Sequence, residues 1–173
     1  MGDKVIAKHS KNMNITVIVN DERYSKNVEP RLSLADFLRT DLEMTGTHLG
    51  CEQGVCGACT INFNGQTARA CTMLAVQADG SRIVTIEGAS DSGEMNDLQD
   101  AFHKRNALQC GFCTPGMLLT AAELLAQNST PSRKQIREHI SGNYCRCTGY
   151  EAIVDAIATV AQARLERTGK QDD

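Results

Sequence analysis

The spacing of apolar positions changes part-way along the chain. From Asn14 to Asn20, NITVIVN alternates apolar and polar residues and is rich in β-branched side chains, which predicts a strand. NDER turns the chain and YSKNVE returns as its hairpin partner. Ser33 sits where a helix N-cap belongs, ahead of Leu34, Phe37 and Leu38 on one face. CTINFNGQTARAC predicts a hairpin turning at Asn64-Gly65, and RIVTIEG, residues 82–88, a further strand. The polar run GASDSGEMND then reads as a linker. Beyond it the period is helical, starting with residues 96–106. TPGMLLTAAELLAQN has Thr114 as N-cap, Pro115 at the first helical position and apolar residues almost all round, so it should be buried. SRKQIREHISGN carries a capping box at Ser132 and Gln135 and a stop at Gly142. GYEAIVDAIATVAQARLE repeats apolar residues at 153, 154, 157, 160 and 161. The expectation is an α+β chain: a small sheet with one helix over 14–88, helices over 89–166, and flexible tails at 1–13 and 167–173.

Composition narrows the functional classes. The 173 residues have ordinary hydrophobic content, 41%, but only 4% aromatics and no Trp, so something other than large rings helps to fill the interior. The net charge of −3 offers no electrostatic case for nucleic acid or an anionic membrane. No run approaches the ~20 apolar residues of a membrane span. The first residues, MGDKVIAKHSKNMNITV, lack the apolar core of a signal peptide, and Ile6 stands where a myristoylation pattern needs Ser or Thr. The expected location is the cytoplasm. There, eight cysteines point to metal binding before disulfides.

The cysteines fall into two sets of four. Cys51, Cys56, Cys59 and Cys71 are spaced C-x4-C-x2-C followed by one distant cysteine, the plant-type [2Fe–2S] pattern, whereas zinc sites more often join two knuckles. Gly50, Gly54 and Gly57 flank these residues, letting backbone N–H groups turn towards a centre that carries a charge of about −2 when oxidised. Cys110, Cys113, Cys145 and Cys147 form C-x2-C plus C-x-C, which zinc, a second [2Fe–2S] centre and a redox dithiol all fit. Helix starts at Thr114 and Thr148, each just after a cysteine pair, favour a bound anion. None of the four histidines, His9, His48, His103 and His139, has ligand spacing to a cysteine, so they read as surface or structural residues.

Three motifs in this order, GCEQGVCGACTI, LQCGFCTPGML and GNYCRCTGY, closely resemble the small iron–sulfur subunit of the molybdenum hydroxylases, the xanthine dehydrogenase and aldehyde oxidoreductase family. The resemblance runs from about Ile15 to Val160. It implies a plant-type ferredoxin-like, β-grasp domain over 14–88, holding one [2Fe–2S] cluster on Cys51, Cys56, Cys59 and Cys71. An all-α four-helix domain over 89–166 would hold the second on Cys110, Cys113, Cys145 and Cys147. It further implies that the helical cluster lies towards a molybdenum–pterin cofactor and the other towards FAD. Gln109 would contact the pterin, with Cys147 at that end of the electron path.

The chain has no GxGxxG or P-loop pattern and no room for a flavin domain, so no catalytic residue is expected on it. The implied partners are a large molybdopterin-binding subunit and a medium FAD-binding subunit in a dimer of heterotrimers, with no nucleic acid and no membrane. The implied activity is electron relay in an oxidoreductase whose substrate is an N-heterocycle or an aldehyde. Two rival readings are a free-standing ferredoxin-type carrier and a zinc-binding scaffold.

Overall fold

The structure, a computed structural model, describes residues 11–168. The expected tails fall mostly outside that range; within it, the first strand begins at Met13 and the last helix runs to Thr168.

Strand β1, Met13–Val19, buries Ile15, Val17 and Val19, the apolar half of its alternation. It pairs antiparallel with β2, Glu22–Val28, whose outward Glu22, Arg23 and Lys26 blunt an exposed edge. Ser33 caps α1, Leu34–Asp36, by accepting the Asp36 N–H at 3.0 Å, and the helix widens into a π-helical turn, Phe37–Asp41. Strands β3, Thr60–Phe63, and β4, Gln66–Arg69, form the second hairpin. Asn64 (φ 52°) and Gly65 (φ 89°) both take the left-handed conformation that a tight two-residue turn demands. Short turns at Ala70–Thr72 and Ala75–Ala78 lead to β5, Arg82–Val84, which lies parallel to β1 and antiparallel to β3. The sheet order is β2-β1-β5-β3-β4. Leu34, Phe37 and Leu38 pack beneath it with Val17, Val19, Ile61 and Ile83, each of which gains roughly 1.5–3 kcal/mol by leaving water.

A second core gathers α3, Asn96–Lys104, α4, Thr114–Gln127, α5, Arg133–His139, and α6, Glu151–Thr168. Met117, Leu118, Leu119, Ala121, Leu124 and Leu125 bury most of α4, as its apolar circumference requires. Ser132 and Gln135 form the capping box of α5.

The strand predicted over 82–88 and the linker after it are both corrected. β5 stops at Val84 and helix α2, Ile86–Asp91, follows at once. The cause is Asn20. Its carboxamide accepts the Thr85 N–H at 2.9 Å and donates to Thr85 Oγ1 at 3.0 Å, so a side chain takes the place of the next ladder bond. Gly88 packs directly on it, since a Cβ there would lie 2.3 Å from Asn20 Oδ1. Ala89 and Met95 point into the helical core, and Asp97 is held by Arg164 and Arg167 at 2.8 and 2.9 Å. The Arg164 guanidinium, with Arg167, draws the Asp97 carboxyl below its ordinary pKa. Ser90, Ser92 and Asp97 of the run that suggested a linker are therefore paired internally.

Asn20→Ala should lower unfolding stability by about 1–3 kcal/mol and speed amide exchange over Ile86–Asp91, as read by chemical denaturation and hydrogen-exchange mass spectrometry. Unchanged protection of that helix would contradict the role given to Asn20.

Candidate metal centres

The first cysteine loop is anchored before it begins. Arg39 donates to the Thr45 and Thr47 carbonyls at 2.6 and 3.0 Å, and Glu87 accepts the Gly46 N–H at 2.7 Å. Positive φ at Glu52, Gly54 and Gly57 then folds the loop back on itself. As a result the N–H groups of Gln53 and Cys56 both point at Cys51 Sγ, 3.4 Å away. Those backbone donors pull the Cys51 thiol down to about 6. Cys59 lies where β3 begins, and Cys71 in the turn after β4, so the hairpin register sets them together. Burial, opposed by a backbone bond and reinforced by the Cys71 thiol, pushes Cys59 up to about 11. The thiols associate two by two: Cys51 with Cys56, and Cys59 with Cys71.

The second set repeats the scheme. Gly111 (φ 80°) turns the chain between Cys110 and Cys113, and Cys113, rather than Thr114, is the N-cap of α4. Cys110 Sγ and Cys147 Sγ lie 3.5 Å apart at the surface, while Cys113 pairs with Cys145 inside. Burial, then the Cys145 thiol, pushes Cys113 up to about 12. Burial also raises Cys145, but the Thr148 hydroxyl, 3.1 Å from its sulfur, and the N–H groups of Cys147 and Thr148 outweigh it and lower the thiol overall. The Phe112 N–H lowers Cys110, and the hydrogen bond with Cys110 raises Cys147. Thr148 does not start a helix as predicted. Gly149 and Tyr150 are both left-handed and α6 begins at Glu151, which leaves the Thr148 hydroxyl free to reach Cys145.

Two pairs of thiols per site match a centre with two metal atoms, each taking two thiolates. Among the described residues no group of three or more His, Cys, Asp or Glu side chains converges for a single ion. Backbone N–H and hydroxyl donors aimed at sulfur suit a negatively charged iron–sulfur unit. Gln109 and Cys147, singled out separately in the sequence, are brought together: Gln109 Nε2 donates to the Cys147 carbonyl at 3.1 Å on the exposed side of the second set.

What sequence reasoning missed is the joint between the two sets. The Tyr144 N–H donates to the Cys56 carbonyl at 2.8 Å, so a cysteine of the first set is bonded to the neighbour of Cys145 in the second. His48 Nδ1 donates to the Phe112 carbonyl at 2.7 Å, and the two rings stack with centroids 4.7 Å apart. Asn143, 1% exposed, donates to the Gly57 carbonyl at 3.0 Å. Only the nearness of His48, Phe112 and Asn143 to cysteines in the chain hinted at these contacts.

A β-grasp sheet and a helical bundle, each presenting four paired cysteines and touching at their cysteine loops, define a two-centre iron–sulfur protein. Residues 22–100 match the family described as 2Fe-2S iron-sulfur cluster binding domain, and residues 85–158 the [2Fe-2S] binding domain. The gamma subunit of caffeine dehydrogenase from Pseudomonas sp. (strain CBB1) is 53% identical over 150 residues, covering 85% of this chain and 90% of that protein. The small subunit of nicotine 6-hydroxylase from Paenarthrobacter nicotinovorans is 51% identical over 148 residues, 86% of this chain and 89% of that one. The crystal structure of quinoline 2-oxidoreductase from Pseudomonas putida 86 superposes with a TM-score of 0.85 at 53% identity, over 92% of this chain and 99% of that chain. The chain belongs to the small [2Fe–2S] iron–sulfur subunits of the molybdenum hydroxylases. It is an electron-transfer subunit of an oxidoreductase, which sets aside both the free carrier and the zinc scaffold. Among the described residues no helix is long and apolar enough to cross a membrane.

In cluster-free protein at pH 7, iodoacetamide should alkylate Cys51 first, because a thiol near 6 is mostly thiolate there. That advantage should fade as the pH falls through about 6. Cys59 and Cys113, protonated until about 11 and about 12, should label last. Peptide mass spectrometry reads the order, and equal labelling of Cys51 and Cys59 would contradict the assigned environments.

Proposed function

We propose that this chain carries electrons singly between a molybdenum–pterin site on a large partner subunit and FAD on a medium one. Cys110, Cys113, Cys145 and Cys147 serve as the station towards the pterin, and Cys51, Cys56, Cys59 and Cys71 as the station towards the flavin. Residues 14–88 and 89–166 would be the two functional units. Each bound [2Fe–2S] cluster supplies a one-electron carrier. The chain's own work is to position the two sets, aim N–H donors at sulfur and keep water away from the inner thiols. The observation that carries this reading is the Cys56–Tyr144 backbone bond, which ties a cysteine of the first set to the residue before Cys145 of the second. The exposed Gln109–Cys147 pair supports the assignment of the pterin-facing end.

The docking faces follow from exposed apolar side chains. Val55, Phe112 and Tyr144 are 50%, 47% and 55% exposed, and each is the immediate neighbour of a cysteine. Large apolar groups held in water beside redox centres fit protein interfaces, here with the two partner subunits in a cytoplasmic dimer of heterotrimers. The named relatives act on caffeine, nicotine and quinoline, all nitrogen heterocycles, so the favoured substrate class of the complex is an N-heteroaromatic compound hydroxylated on the large subunit.

Electron paramagnetic resonance of the dithionite-reduced protein should give two distinct [2Fe–2S] signals with about four irons per chain. One signal plus bound zinc would remove the helical half from the path. Cys113→Ser should abolish turnover of the complex while the signal of the first set survives; undiminished turnover would refute a serial relay. Gln109→Ala should slow reduction of the helical centre by substrate, or weaken pterin retention, with both cluster signals intact. Unchanged transfer and retention would take Gln109 off the path.

A further inference from the structure

Consecutive residues clasp consecutive carbonyls where the two halves meet. The main-chain N–H of Tyr144 binds the Cys56 carbonyl at 2.8 Å, and the side-chain Nδ2 of Asn143 binds the Gly57 carbonyl at 3.0 Å. One bond alone would fix a distance and leave rotation free; two in series fix both. Cys56 belongs to the first cysteine set, and Cys145 of the second follows Tyr144 directly.

The carboxamide making the second bond is fully engaged. Nδ2 also donates to Thr60 Oγ1 at 3.2 Å. Oδ1 accepts from Thr120 Oγ1 at 3.0 Å and, more weakly, from Arg69 Nη2 at 3.4 Å. The partners are themselves saturated. Thr60 Oγ1 donates to the Gly57 carbonyl at 2.6 Å and accepts from Arg69, whose other nitrogen reaches the Gly142 carbonyl at 2.9 Å. Asn143, Thr60 and Thr120 are all buried. A carboxamide of this kind uses both donors and both acceptor positions, and a complete buried network specifies one arrangement of its parts.

Glycines allow the approach. A Cβ on Gly57 would stand 2.4 Å from the Gly142 carbonyl, and one on Gly116 would stand 2.3 Å from the Gly57 carbonyl. The first cysteine loop, the first turn of α4 and the segment ahead of Cys145 therefore meet backbone to backbone, with the Asn143 side chain as the pin. An apolar side chain could fill the volume, but it could not hold the Gly57 carbonyl at a fixed angle.

We propose that Asn143 is a positioning residue for electron transfer between the two iron–sulfur centres: its buried carboxamide fixes the spacing and orientation of the Cys51–Cys59 loop against the Cys145–Cys147 segment. This rests on the two-centre relay proposed above. The transfer moves one electron, supplied by substrate oxidation on the partner subunit, from one centre to the other; no bond is made or broken. Asn143 touches neither centre and acts through Gly57 and through its chain neighbour Tyr144.

The test uses the whole complex. Asn143→Ala should keep the native iron content and both cluster signals. It should weaken the spin–spin broadening between the two reduced centres, and slow arrival of the electron at the second centre by roughly tenfold or more in rapid-freeze experiments. Unchanged broadening and rate would overturn the proposal. If Asn143→Ala loses iron, Thr120→Val decides: it keeps the donor to Gly57 but frees the other end of the carboxamide. A smaller loss of coupling in the same direction is then expected, and none would overturn the role. Ile153→Ala, a core change outside the hydrogen bonds of the clasp, should lower the melting temperature without altering the broadening. A fall in coupling there too would reduce Asn143 to general stability. A native complex with a single cluster signal would overturn the relay and this inference with it, whereas two coupled signals that the variants leave unmoved would overturn only Asn143.

Discussion

The chain depends on one close approach, that of the first cysteine loop to the segment preceding Cys145. There the Cys56 and Gly57 carbonyls meet Tyr144 and Asn143 at hydrogen-bond distance, over glycines that leave no side chain in the way. Each half has its own cluster of buried apolar residues, with Val84 of β5 also packed against the helical one. The clasp couples them, together with the Glu123 carboxylate on α4, which takes the Thr67 N–H and hydroxyl of β4 at 2.6 and 2.8 Å. Two small cores placed independently would leave the distance between their cysteines to chance. Polar, directional contacts at the joint remove that freedom.

Within each set the sulfurs occupy unlike surroundings. Cys51 is offered backbone donors, while Cys59 is sealed into the sheet core; Cys113 is half-buried at the start of α4, while Cys110 and Cys147 face outwards. The same asymmetry appears in two unrelated folds, one a loop wrapped before a strand and the other a turn wrapped before a helix. In each, a more exposed pair of thiols lies beside a more enclosed pair. That arrangement gives each centre an inner side and an outer side, which a relay needs and a purely structural ion does not.

Much of the fold was legible because local signals agreed with tertiary need. Ser33, Asn64-Gly65 and the Ser132–Gln135 box did what their chemistry prescribes, and the apolar girth of α4 became burial. Two of the misreadings, the strand end and the linker, share one cause. Thr85, Glu87 and Asp97 fall in the predicted strand and the predicted linker, yet each is bound by a partner distant in sequence: Asn20, Gly46 and Arg164. Thr148 does not start a helix because two left-handed residues, Gly149 and Tyr150, follow it and leave no local mark in the pattern of apolar positions. The cysteine sets were legible from spacing. Their joint was not, because a buried asparagine carries no periodic mark, and its partners, Gly57, Thr60 and Thr120, are scattered over the chain.

The outward thiols Cys110 and Cys147 bear on how such a protein is built. They stand at the surface next to exposed Phe112 and near Tyr144. If a partner subunit covers those rings, it also covers the side on which these two sulfurs meet solvent. One face cannot be both an entrance and a sealed joint at the same moment. For insertion by that side, assembly has a fixed order, metal before partner.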